Sequence, residues 1–382
     1  MCDSPAPEGE GLSETVLPDS DIHHADRIAR QRRPCYPAAM LTLGDLFASP
    51  DHYLFAFDGD LALFREMDAA AYRRSIFLDR RIDPAGPGML KVPIGPLLAH
   101  GTPRQTAPIG WIFHIAHCGS TLLARGLDGP EDGLVLREPL PLRQLAVEAT
   151  AAFADRPADA GWQSGLRLVA AMLARSYEGV APTVVKANVP VNFILPELMA
   201  LDPEAKAILL HFSLDDYLAA ILRSPEHRAW LASVMQEIAP AIEADVGPID
   251  GLDDAERAAA LWLTQMRIYA RALDRWPQLR SLDAEHLFDA PQATIIAARA
   301  YFGRTGPADP ATITALTSTY AKNPQAAFDN AARLERRAAI RRQIAPELTR
   351  GNDWVRKRLA ACPLPDRLAR PLIDEGARLI ND

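Results

Sequence analysis

Between Phe113 and Leu127 the sequence reads FHIAHCGSTLLARGL, an apolar run that passes through His117-Cys118-Gly119-Ser120-Thr121 into helix-forming residues. A strand, a tight glycine turn and a helix start bring several backbone N–H groups toward one point, where the helix end favours an anion. The segment can therefore form a phosphate loop from the backbone of Gly119 to Leu122, with the Ser120 and Thr121 hydroxyls as added donors. It is not a Walker A loop. His114 stands where the first Gly of G-x-x-x-x-G-K-S/T belongs and Ser120 where the Lys belongs, which disfavours ordinary magnesium-nucleotide hydrolysis. Read alone, the junction fits an N-cap at a buried strand-to-helix turn equally well.

Two further residues stand where parallel strands should end. Glu138 follows the apolar GLVLR (133–137) and precedes Pro139, and a partly desolvated carboxylate there can act as a general base. Its bland alternative is a salt bridge to Arg137 or Arg143. Lys186 ends TVVKA (183–187); lysine is seldom buried without a partner, and a strand's carboxyl end would point it at the phosphate site. His114, inside its strand, reads as a core histidine. Cys118 beside a helix start could have a depressed pKa, but small-residue packing explains it better.

The elements that must position these residues follow from apolar periodicity. GWIFHIA (110–116), GLVLR, TVVKA, AKAILLHF (205–212) and LRSLD (279–283) read as buried strands separated by helical windows. Alternation of this kind predicts an α/β domain with a central parallel sheet and ligands beyond its carboxyl ends. Trp262, Met266, Tyr269, Leu273 and Trp276, spaced four, three, four and three, lie on one helical face and are expected in the core. Upstream, YLFAF (53–57), Asp58-Gly59 and LALF (61–64) predict a β-hairpin. The Tyr72–His100 stretch, rich in Pro and Gly, reads as a connector. Residues 1–35 lack apolar periodicity and read as a mobile tail, 36–104 as an extension carrying the hairpin, 105–305 as the α/β domain, and 306–382 as a helical, Arg-rich C-terminal cap.

Composition narrows the classes. With 41 Lys and Arg against 49 Asp and Glu, the net charge of −8 argues against a nucleic-acid-coating surface but permits a local basic pocket. No run of apolar residues is long enough for a membrane span. The acidic, Pro/Gly-rich start is unlike a signal peptide, so a cytoplasmic protein is expected. The four cysteines show neither disulfide nor zinc spacing.

AHCGSTLL (116–123) resembles the 5′-phosphosulfate loop of sulfotransferases, a Lys or Arg followed by S-G-T-T and two apolar residues, with His117 in the basic position. LREPL (136–140), VVKANVPVNFILPELMALDPEAKAILLHF (184–212) and LDAEHLFDAPQATIIAARAYFG (282–303) resemble later family segments, in the family's order. The resemblance, over about residues 110–303, implies a P-loop NTPase-like three-layer fold and sulfuryl transfer from 3′-phosphoadenosine-5′-phosphosulfate to a small-molecule or peptide acceptor, with no metal. It implies donor binding by His117, Cys118, Gly119, Ser120, Thr121, Leu122 and His211, and catalytic roles for Glu138, Lys186 and His117. The family's R-x-x-x-D-x-x-x-S pattern, whose Arg and Ser hold the donor's 3′-phosphate, reads here His211 to Ala219, with Asp215 retained. Arg223 and Ser224, or Lys322 and the Arg-rich segment, are candidates to replace the lost contacts. Two rivals stand beside the transferase: a noncatalytic nucleotide- or phosphate-binding module, and a small-molecule kinase.

Overall fold

Five short strands, β4 (Gly110–His114), β5 (Val135–Arg137), β6 (Val184–Lys186), β7 (Ala207–His211) and β8 (Arg280–Asp283), form one parallel sheet in the order β5-β6-β4-β7-β8. This is a computed structural model, and it describes residues 41–101, 108–129, 132–151, 160–177, 181–304, 310–320, 323–374 and 376–380. The expected tail, 1–35, lies outside them, as do Cys2, Cys35 and Lys322. All five strands fall where the apolar runs predict. Every residue of β4 and β7 is buried, as continuous apolar runs in a helix-covered parallel sheet must be. The chain leaves central β4 toward β5 and β6 and returns on its other side at β7. That reversal opens a crevice at the carboxyl end of β4, where α/β sheets hold ligands.

The 254–275 helix confirms the apolar face. Trp262, Met266, Tyr269 and Leu273 are fully buried, and Trp276 is buried one residue past its end. An Asp253/Glu256 capping box fixes its start.

The hairpin is also present: β1 (His52–Asp58) pairs antiparallel with β2 (Leu61–Glu66), with Gly59 at φ 58 in the turn. The connector reading needs correction. Its Pro and Gly do exclude long helices, yet Met89–Pro93 forms a third strand, β3, paired with β2, followed by the short Ile94–His100 helix. Pro93 closes a strand at the edge of this sheet, where a missing N–H is tolerated.

This small sheet is fastened to the domain by polar bonds to its backbone. Gln144 exchanges two 2.8 Å hydrogen bonds with Phe57. Arg175 donates to the carbonyls of Leu46, Ser49 and His52. Arg137, buried at the end of β5, donates to the carbonyls of Tyr72, Arg73 and Ser75, so the following residues, including Phe77 and Arg81, are held beside the sheet's carboxyl edge.

Toward the C-terminus, the Asn330–Gln343 helix has no buried residue, whereas the following Ala345–Leu359 helix buries Gly351, Trp354 and Val355. The chain then returns to the sheet edge, with Ser281 of β8 bonded to Arg370 and Leu372.

Candidate functional site

The loop after β4 is bent by left-handed residues. Ala116, His117 and Gly119 have φ of 74, 51 and 81 before the Ser120–Gly126 helix begins. Left-handed backbone costs a non-glycine residue on the order of 1 kcal/mol, so holding Ala116 and His117 there is strain that the surroundings must overcome. At Gly119 a Cβ would also lie 2.9 Å from the Phe288 ring, so glycine is required twice over. Successive left-handed turns make a concavity of backbone N–H groups suited to an anion. Thr121, 3% exposed, holds its hydroxyl there without a hydrogen-bond partner. A buried orphan hydroxyl costs stability unless a ligand satisfies it. Ser120 and Leu122 are buried in the same wall.

Glu138 follows β5 directly with φ 58, a sharp departure from the strand, and its N–H donates to the Lys186 carbonyl at 2.7 Å. Its Oε1 accepts from the Lys186 ammonium, which is 1% exposed at the end of β6. His114 Nε2 stands 3.8 Å from the same oxygen, and Arg81 Nη2 4.0 Å from Oε2. Arg81 is held by Asp79 and stacks on Phe77 at 3.8 Å.

Loop and carboxylate open on one cavity of about 640 Å³. Its lining includes Arg81, Arg143, Arg223, Arg333, Arg336 and Arg337 against Glu138, Asp216 and Glu226, a cationic excess in a chain of net charge −8. His117 also lines it, its ring 4.2 Å from that of His227 and 5.2 Å from that of Trp230. Asn188, buried in the lining, has an unpartnered Oδ1.

The exposed 330–343 helix reaches this cavity through ion pairs. Arg333 forms a two-pronged pair with Glu285 at 3.0 and 2.8 Å; Arg337 bridges Glu285 and Asp216; Arg341 bonds Asp216 at 2.8 Å. Burial pushes the Glu285 carboxyl up, but the two arginines outweigh it and the net direction is down. Asp216 goes the other way, raised by burial despite Arg337 and Arg341. Phe288, under Arg333, stacks with Phe212.

The structure brings His117, Gly119, Ser120, Thr121, Leu122 and Glu138 to one cavity. Three expected residues are placed differently. Lys186 is not among the lining residues; it points at Glu138, because a buried ammonium takes the nearest carboxylate. Cys118 is fully buried behind the loop, its thiol pushed up to about 12 by desolvation. His211 is 3% exposed at the end of β7, opposite Asp283 of β8, and is not among the lining residues, although its neighbour Phe212 is; burial lowers its pKa although Asp283 opposes this. The salt-bridge alternative for Glu138 also changes partner. Arg137 pairs with Asp128 at 2.6 Å and Arg143 with Glu237, leaving Glu138 to Lys186. Of the substitutes for the 3′-phosphate contacts, Arg223 and the Arg-rich segment do line the cavity, whereas Ser224 caps the Pro225–Val246 helix. Sequence reasoning missed Arg81, Asn188, His227 and Trp230. Asn188, two residues past Lys186, had the one available signal, a polar residue just beyond a strand's carboxyl end.

Among the described residues no cluster of three or more His, Cys, Asp or Glu side chains could hold a metal ion, and no helix is long and apolar enough to cross a membrane. No protein-family model and no curated protein matches the chain. Among solved structures it is similar to a sulfotransferase domain from the curacin biosynthetic pathway, at 13% identity and TM-score 0.36 over 56% of this chain and 79% of that one. It is likewise similar to a sulfotransferase from Alicyclobacillus acidocaldarius, at 14% identity and TM-score 0.35 over 67% of this chain and 96% of that one.

Proposed function

We propose that this chain transfers a sulfuryl group from 3′-phosphoadenosine-5′-phosphosulfate to a hydroxyl or amine of a small-molecule or peptide acceptor, in the cytoplasm. One observation carries the reading: the bent loop with its orphan Thr121 hydroxyl and the carboxylate of Glu138 face the same cationic cavity. The residues fit the donor. Backbone N–H groups from Gly119 to Leu122, with Ser120 and Thr121, suit a phosphosulfate; the arginines of the 330–343 helix suit a second phosphate, in place of the family's Arg and Ser.

Sulfuryl transfer resembles phosphoryl transfer, so positioning and charge stabilisation do most of the work. The nucleotide co-substrate supplies the activated sulfuryl group. As the acceptor's oxygen or nitrogen bonds sulfur, Glu138 takes its proton and the bond to the donor's phosphate oxygen breaks, leaving adenosine 3′,5′-bisphosphate. His117 and the loop N–H groups hold the departing phosphate. Lys186 pairs with Glu138 and holds it in place.

A second reading, a noncatalytic nucleotide-binding module, is favoured by His211 and Ala219 at the family's 3′-phosphate positions. Thermal shift with adenosine 3′,5′-bisphosphate, adenosine 5′-phosphate and Mg-ATP separates the ligand classes. Stabilisation by the bisphosphate above the other two is expected; stabilisation by Mg-ATP alone would favour a kinase and defeat the proposal. Formation of bisphosphate in the presence of acceptors then separates the transferase from the binding module.

A further inference from the structure

We infer that His114 is a positioning residue, held as the neutral Nε2–H tautomer by the phosphate loop's own backbone, which turns the Oε2 of Glu138 toward the acceptor. The inference rests on Glu138 as base and adds what sets its orientation. His114 is 5% exposed at the end of β4, in the cavity wall. The N–H of Ala116, a residue in the left-handed region, donates to its Nδ1 at 3.1 Å. A backbone N–H cannot withdraw its proton, so Nδ1 must be bare and the ring hydrogen sits on Nε2. Protonating Nδ1 would set two buried donors against each other and forfeit the bond.

Charged groups near this ring among the described residues include Glu138 after β5, Lys186 from β6 and, through Glu138, Arg81 from the N-terminal extension. Lys186 already neutralises the carboxylate, so no imidazolium is needed there. Both Lys186 Nζ and His114 Nε2 approach Oε1 of Glu138, the latter at 3.8 Å, a separation that closes to a hydrogen bond with a small movement. Lys186 holds Oε1 already, and closure of the His114 gap would occupy that oxygen from a second side. Oε2, with Arg81 at 4.0 Å, is the oxygen left to take the acceptor's proton. The chain Ala116 N–H, His114, Glu138 links the backbone that cradles the donor to the group that activates the acceptor.

The direct test is 15N NMR of histidine-labelled full-length protein, with the His114 signal identified by its loss in His114→Gln. Expected is a bare Nδ1 and a protonated Nε2, unchanged between about pH 5.5 and 8.5, where an ordinary histidine titrates. An Nδ1–H tautomer, or an imidazolium appearing in that range, overturns the inference. A kinetic arm separates the two halves of the ring. His114→Asn keeps an acceptor for Ala116 but cannot reach Glu138; His114→Gln reaches Glu138 with an N–H. Asn should lower kcat by up to about 100-fold with little change in KM, since a small misplacement costs that much. It should also move the acid limb of the pH profile upward, because losing a donor to a carboxylate raises its pKa. Gln should restore both. Equal profiles for Asn and wild type overturn the inference. The NMR result needs no turnover, so failure of the transfer reaction and failure of the tautomer lock are told apart.

Discussion

Lys186 and Glu138 form an ion pair across the carboxyl ends of neighbouring parallel strands, the lysine 1% exposed and the glutamate at the cavity wall. Removing one member of such a pair leaves the other charge uncompensated, whereas removing both can be nearly neutral. Lys186→Met should therefore destabilise the fold by about 3 kcal/mol or more. Lys186→Met with Glu138→Gln should recover most of that loss. Urea denaturation of the wild type, both single variants and the double variant measures the coupling.

Glu138→Gln should bind adenosine 3′,5′-bisphosphate as the wild type does and lose turnover by about 100-fold or more, the usual value of a general base. Calorimetry and a single-turnover assay with one acceptor check the two halves. Unchanged turnover would put the base elsewhere.

Arg333→Ala and Arg337→Ala each remove a charge from the lining. Charge-assisted hydrogen bonds contribute about 1.5–3 kcal/mol, so each variant should weaken bisphosphate binding at least roughly ten-fold while leaving adenosine 5′-phosphate almost unaffected. Equal losses for both nucleotides would show that these arginines do not read the 3′-phosphate.

His211 gives a stability test. Its folded pKa lies below the unfolded value of about 6.5, so its contribution is intact above that pH and is lost as pH falls toward the folded value, because the unfolded chain then binds the proton the native state refuses. The thermal midpoint should drop from about pH 7 to 5.5, and His211→Gln should flatten that segment of the profile. An identical slope in the variant would mean that His211 is not the group responsible.

Cys118 and Cys362 should differ in reactivity. Burial holds the Cys118 thiol near 12, whereas Cys362 is exposed. At about pH 8 iodoacetamide should modify Cys362 and spare Cys118 until the protein is unfolded, because only the thiolate attacks. Peptide mapping by mass spectrometry decides.

The sheet was legible because parallel strands buried on both faces must be apolar throughout, and runs such as AKAILLHF have no other economical home. β3 was hidden because MLKVP is an edge strand with four of its five residues exposed, so no apolar alternation marks it. Loop and carboxylate could be found because Gly119 and Glu138 sit where strands end. Lys186 was misdirected: position at a strand's end identifies the edge of the sheet a side chain occupies, not which of two nearby anions it takes. Arg81, His227 and Trp230 carry no local mark, since their place in the cavity is set by folding contacts such as the bonds of Arg137 to residues 72–75.

Cavity-lining residues run from Phe77 to Ile340, drawn from the N-terminal sheet segment, the parallel domain and an exposed C-terminal helix. During synthesis the loop at 116–122 can form when the sheet does, once β8 (Arg280–Asp283) has been made, but the lining residues from Arg333 to Ile340 arrive only about fifty residues later. Competence to bind is consequently acquired after the parallel sheet is complete, and proteolytic clipping between residues 304 and 330 should leave a folded, cooperative core that has lost its hold on the ligand.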